Sequence, residues 1–145
     1  FDGGGSNVGT AIAYSVGLTA DIDEVSVAAG GTQNLFLNAG EEFGGQFYLV
    51  AFSQVLAPLS LGLGVTLPIR FDAFFSLSLS AANTPPFVNN FGVLNPDGQG
   101  AAALALPPGA ASGLVGTTLN SAFVSFDLAA TPLFASNAVD LDFLP

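Results

Sequence analysis

The 145-residue sequence predicts an all-β protein: an antiparallel β-sandwich of immunoglobulin-like or jelly-roll type, with roughly eight or nine strands. Three observations carry that expectation. Side-chain character alternates with a period of two along most of the chain, as half-buried strands require. Gly supplies 18 residues and Pro 9, which disfavours helix and punctuates the apolar runs at short intervals. No alternation of strand and helix patterns is visible, so the strands are expected to pair antiparallel in packed layers.

Phe1 to Asn7 reads as a flexible Gly/Ser leader. From Val8 to Ile22 the even positions are Val8, Thr10, Ile12, Tyr14, Val16, Leu18, Ala20 and Ile22, while Gly9, Ala11, Ala13, Ser15, Gly17, Thr19 and Asp21 fill the odd ones. This is one long strand with a bulky face and a small face. The remainder, 23–145, is expected to form the sandwich domain. Its strands are read at Glu24 to Ala28, Thr32 to Leu37, Gln46 to Ser53, Arg70 to Ser80, Phe87 to Leu94, Gly100 to Leu106, Ser121 to Leu128 and Phe134 to Phe143. Ala29-Gly30-Gly31, Asn38-Ala39-Gly40 and Ala130-Thr131-Pro132 mark turns, and Asn95-Pro96-Asp97-Gly98 between apolar runs predicts a hairpin. A short helical turn is expected at Gly109 to Val115, after Pro107-Pro108.

Composition excludes more chemistry than it suggests. The chain has no His, Cys, Met, Trp or Lys, and Arg70 is its one basic residue against eleven carboxylates. Imidazole, thiol and amine groups are therefore missing as general bases, nucleophiles and soft metal ligands. A paired-carboxylate glycosidase is the enzyme class left open, and neither a Trp platform nor a charged network around an acidic pair supports it. The protein is expected not to be an enzyme and to need no cofactor. A net charge of −10 repels nucleic acid and anionic lipid while keeping an apolar chain, 50% hydrophobic, dispersed.

No run of apolar residues is long enough for a spanning helix; the nearest, Val55 to Ile69, is broken by Pro58, Gly62, Gly64 and Pro68. With two Tyr and no Trp, a small outer-membrane barrel would rest its aromatic girdles almost entirely on Phe, which disfavours it. An opening at Phe1 without an initiator Met reads as a processed, exported chain, so a secreted or cell-surface location is expected.

Several short motifs look familiar: Val25-Ser26-Val27-Ala28-Ala29-Gly30-Gly31-Thr32-Gln33, Leu67-Pro68-Ile69, Asn83-Thr84-Pro85-Pro86, Gly92-Val93-Leu94 with Asp97-Gly98, Leu106-Pro107-Pro108-Gly109, and Ser136-Asn137-Ala138-Val139. By the order of these motifs, the chain from Asp23 onward resembles a β-rich domain of large secreted proteins of environmental bacteria, often C-terminal and without an assigned biochemical function. The resemblance implies an exported β-domain and transfers no catalytic or ligand residue.

Candidate sites follow from what remains. The alternating strand could complete the sheet of a neighbouring subunit, with Ile12, Tyr14, Val16 and Leu18 as anchors and Gly3 to Gly5 as hinge. Folding back on its own domain is the alternative. Asp21, Asp23, Glu24, Glu41, Glu42, Asp140 and Asp142 are weak Ca2+ candidates, because none has the loop spacing of a strong site and solvated strand ends explain them as well. Among the fourteen Phe residues, Phe36, Phe47, Phe74, Phe123 and Phe126 are assigned to the core, whereas Phe87 and Phe91 form the expected contact surface. Arg70 is expected to pair with Asp72 or a cross-strand carboxylate.

The functional expectation is an extracellular structural subunit that self-assembles with identical subunits through its N-terminal strand into a filament or surface layer. Its alternative is a calcium- or carbohydrate-binding adhesion module of a larger secreted protein. Hydroxyl-linked glycans remain compatible with the many Ser and Thr residues.

Overall fold

A computed structural model describes residues 16–145. Nearly all regular structure in it is β. The first strands are β1 (Gly17–Ala20), β2 (Glu24–Ser26), β3 (Gly31–Asn38), β4 (Phe47–Ser53), β5 (Leu56–Gly62) and β6 (Val65–Ile69). After the one α-helix among the described residues, α1 (Ala73–Ser80), come β7 (Phe87–Val88), β8 (Phe91–Val93), β9 (Gln99–Leu106), β10 (Thr118–Phe126), β11 (Pro132–Ala135) and β12 (Val139–Leu144).

Two sheets form the sandwich. One runs β1-β3-β9-β7, and the other runs β2-β12-β10-β4-β8 with β11 also paired to β10. All pairs are antiparallel except β2 with β12, which run parallel. Alternation decides what each strand buries. Leu18, Leu35, Leu37, Ala102 and Leu104 point inward from the first sheet and meet Tyr48, Val50, Phe52, Leu119, Phe123, Leu141 and Phe143 from the second. The opposite side chains of β4 and β10, Ala51, Ala122 and Val124, are buried too, beneath Leu67 and Ile69 of the β5-β6 hairpin and Phe75 of α1. The second sheet is therefore sandwiched on both faces, which explains why β10 is buried from Leu119 through Ser125.

Several expectations are corrected. The 70–80 stretch is not a strand: Asp72 caps α1 by accepting from Phe75 N–H at 3.0 Å, and the helix turns Phe75 and Ser78 inward on one face. The interrupted run Val55 to Ile69 folds as the β5-β6 hairpin, with Pro58 and Pro68 tolerated because each strand has a free edge. Asn95 to Gly98 does form a tight turn, with Gly98 N–H bonded to Asn95 O at 2.8 Å, but it carries the chain from β8 in one sheet to β9 in the other and makes no hairpin. Phe36 is 51% exposed, because Leu35 and Leu37 take the inward positions of β3. The turn after Pro107-Pro108 is a short 3-10 segment, Ser112–Leu114.

Candidate assembly site at the sheet edges

Where the chain enters the fold decides what its first residues can pair with. Gly17, Leu18, Thr19 and Ala20 pair in order with Asn38, Leu37, Phe36 and Leu35. Asn38 ends β3, and Ala39 turns away by giving its N–H to the Gly98 carbonyl at 2.8 Å. The described register of β1 thus begins at the Gly17–Asn38 pair. The sandwich includes β1, so the expected domain boundary at 23 falls inside it. Leu18, expected as a donor-strand anchor, is instead a core residue of its own domain, 2% exposed, while Val16 is 60% exposed. Ile12 and Tyr14 lie outside the described residues.

The outer edge of β1 is closed by a side chain. Asn137 Oδ1 accepts from Leu18 N–H at 2.9 Å, and Asn137 Nδ2 donates to Leu18 O at 2.9 Å. One amide side chain makes both bonds of a β-bridge, so it occupies the backbone pair a new strand would use. Gly17, at φ 131°, lies against Asn137 so closely that a Cβ there would strike the amide oxygen. Gln33, 2% exposed, closes the same flank from inside by donating to Ile22 O at 2.9 Å and Asp140 O at 3.1 Å.

The opposite flank repeats the device. Phe91 N–H donates to Asn83 Oδ1 at 3.1 Å, and Asn83 Nδ2 donates to Phe91 O at 3.0 Å, closing β8 at that residue. Asn83 is positioned by the fully buried Asn90, whose Oδ1 accepts from Asn83 N–H at 2.7 Å. Asn90 Nδ2 also donates to Val50 O at 3.2 Å and to Ser78 O at 3.0 Å, tying β4 to the end of α1. Tyr48 bridges the sheets from the interior, its hydroxyl within hydrogen-bond distance of Asn89 O at 2.9 Å and Ala101 O at 3.2 Å. Burial raises its phenol pKa above the ordinary value.

The expected contact pair separates. Phe87 is not a surface residue but core, 2% exposed and 5.1 Å from the Phe52 ring, because β7 turns it inward. Phe91 is 39% exposed and stacks with Phe47 at 6.2 Å and Phe126 at 6.1 Å.

The acidic residues are occupied or dispersed. Asp21 holds Asn34 through two bonds of 2.8 Å, from its backbone N–H and its amide Nδ2, and the side-chain bond is the main cause of its lowered pKa. Asp142 accepts from the Thr118 hydroxyl at 2.6 Å. Glu41 and Glu42 sit on an exposed 3-10 turn. Asp21, Asp23 and Asp140 border one shallow hollow with Ala138 and Val139, yet among the described residues no three metal-ligating side chains converge on a point. Asp72 spends its carboxylate on Phe75 N–H, Gln54 N–H and the Ser53 hydroxyl, and the expected Arg70–Asp72 pair is not formed.

Asn83, Asn90, Asn137 and Gln33 are the structural polar residues that sequence reasoning did not single out. Three of the four, Gln33, Asn83 and Asn137, lie in motifs already quoted, but each stands among other polar residues, as Asn90 does beside Asn89, so nothing local set them apart. No known family profile and no curated protein matches the chain.

Proposed function

We propose that the protein is a non-catalytic, extracellular structural subunit that assembles by giving its N-terminal alternating strand to an identical neighbour, building a filament or surface layer. One observation carries the reading: the alternating pattern runs from Val8 to Ile22, and its described part, β1, is a strand at the outer edge of its sheet, where it pairs with β3 on one side. The upstream part of the pattern, residues 8–16, is the segment offered to the neighbour. The asparagine clasps at Leu18 and Phe91 support the same reading, since they close edges that would otherwise invite unregulated lateral pairing. A head-to-tail contact between unlike surfaces does not close on itself and so propagates into a fibre.

Ile12, Tyr14 and Val16 are the anchors on this reading, and Leu18 is the tether in the donor's own core. The test is a chain beginning at Val16, which removes Ile12, Tyr14 and all but the last residue of the donor segment and spares β1. Folded single particles are the expected result. Filaments from that truncated chain would overturn the proposal.

A further inference from the structure

We infer that the neighbour receives the strand on the bare end of the outer face of its β2-β12-β10-β4-β8 sheet, beside the edge of β8. The occupant is a second copy of this chain, through its residues 8–16. The inference rests on the proposed function and names the surface that function requires.

That outer face is covered unevenly. The β5-β6 hairpin and α1 bury Ala51, Ala122 and Val124. At the other end Phe47, Phe91 and Phe126, on three adjacent strands, stack with ring centres 5.8, 6.1 and 6.2 Å apart, and next to them Val93 is 57% exposed. Phe47 and Phe126 are partly buried while Phe91 and Val93 are exposed, and an apolar patch of this kind on so acidic a protein marks an interface. Backbone groups are offered there as well. Asn83 occupies the outward N–H and C=O of Phe91. The antiparallel alternation turns those of Val93, two residues on, away from β4 in the same direction.

The segment upstream of Gly17 fits this surface in period and charge. Same-face residues of an extended chain recur about every 7 Å, so one of them, Tyr14, can sit on the triangle of rings with Ile12 and Val16 flanking it. The alternate residues Ala11, Ala13 and Ser15 are small, and residues 8–16 contain no Asp, Glu, Lys or Arg, so they approach a subunit of charge −10 without repulsion. Other edges fit less well. β1 is clasped at Leu18 as β8 is at Phe91, but among the described residues it has no stacked rings beside it; β5 and β6 carry Pro58 and Pro68, and β2 presents Glu24.

Because the 145-residue chain has no cysteine, the contact can be trapped with the whole of that chain. Tyr14→Cys combined with Val93→Cys should give a ladder of disulfide-linked oligomers on a non-reducing gel after mild oxidation. Tyr14→Cys with Phe36→Cys, which places the second thiol on the outer face of the other sheet, should give none. Filaments that form without a Val93-dependent ladder, or that cross-link through Phe36 instead, would overturn this acceptor and leave strand donation standing. Unmodified protein that yields only single particles would overturn strand donation itself, and the acceptor with it.

Discussion

Replacing Asn90 by Ala should cost far more than its side-chain volume suggests. Asn90 is fully buried and makes three side-chain bonds, to Asn83 N–H, Val50 O and Ser78 O. Each buried bond contributes about 0.5–1.5 kcal/mol net, and partners left unpaired cost more than the bond was worth. The expected loss is about 3 kcal/mol, a sizeable share of the ~5–15 kcal/mol typical of a domain. With a urea m-value of about 1–3 kcal/mol/M, the unfolding midpoint should fall by roughly 1–3 M. Equilibrium urea unfolding followed by far-ultraviolet circular dichroism reads it directly. Asn83→Ala, which removes only the exposed clasp on Phe91, should cost about 1 kcal/mol or less. An Asn90→Ala midpoint equal to that of the parent protein would refute the assignment of Asn90 as the link between α1, β4 and the β8 clasp.

Other outcomes follow from single groups. Ser125→Ala should leave stability unchanged or raise it by about 1 kcal/mol, because the buried Ser125 hydroxyl has no hydrogen-bond partner; chemical denaturation measures it. Asp72→Ala should lower stability by about 1–2 kcal/mol through loss of the α1 cap, seen as an earlier thermal transition. Asp21 has a lowered carboxyl pKa, so its contribution is present above the unfolded-state value and lost as pH falls through the folded one. Asp21→Asn should therefore flatten the acid limb of stability below about pH 4. Tyr48, with its pKa raised by burial, contributes stability that is present below about pH 10 and lost as the pH climbs through its folded value. Its phenolate absorbance should emerge together with alkaline unfolding, and Tyr48→Phe should remove that coupling.

Much of the sandwich is legible because burial on one face forces period two. In β3, Gln33, Leu35 and Leu37 face in while Thr32, Asn34 and Phe36 face out, and the phase is set by the aliphatic pair, which is why Phe36 is exposed despite its size. The same rule misleads at α1, where Leu77-Ser78-Leu79-Ser80 alternates as a strand would. There the caps decide: Asp72 satisfies the first turn, and Asn90, distant in sequence, accepts the burden of Ser78 O at the last. The β5-β6 hairpin is masked by its prolines, which free edges permit. Phe87 looks exposed among Pro and Asn residues because those residues serve the turn that buries it. The clasps are the least legible feature, since an amide side chain that imitates a backbone leaves no periodic trace.

Strand donation is tested most directly by electron microscopy of the 145-residue chain beside the chain that begins at Val16. The account predicts filaments from the former and folded, unconnected particles from the latter. Fibres of equal length from both preparations, or isolated particles from both, would contradict it.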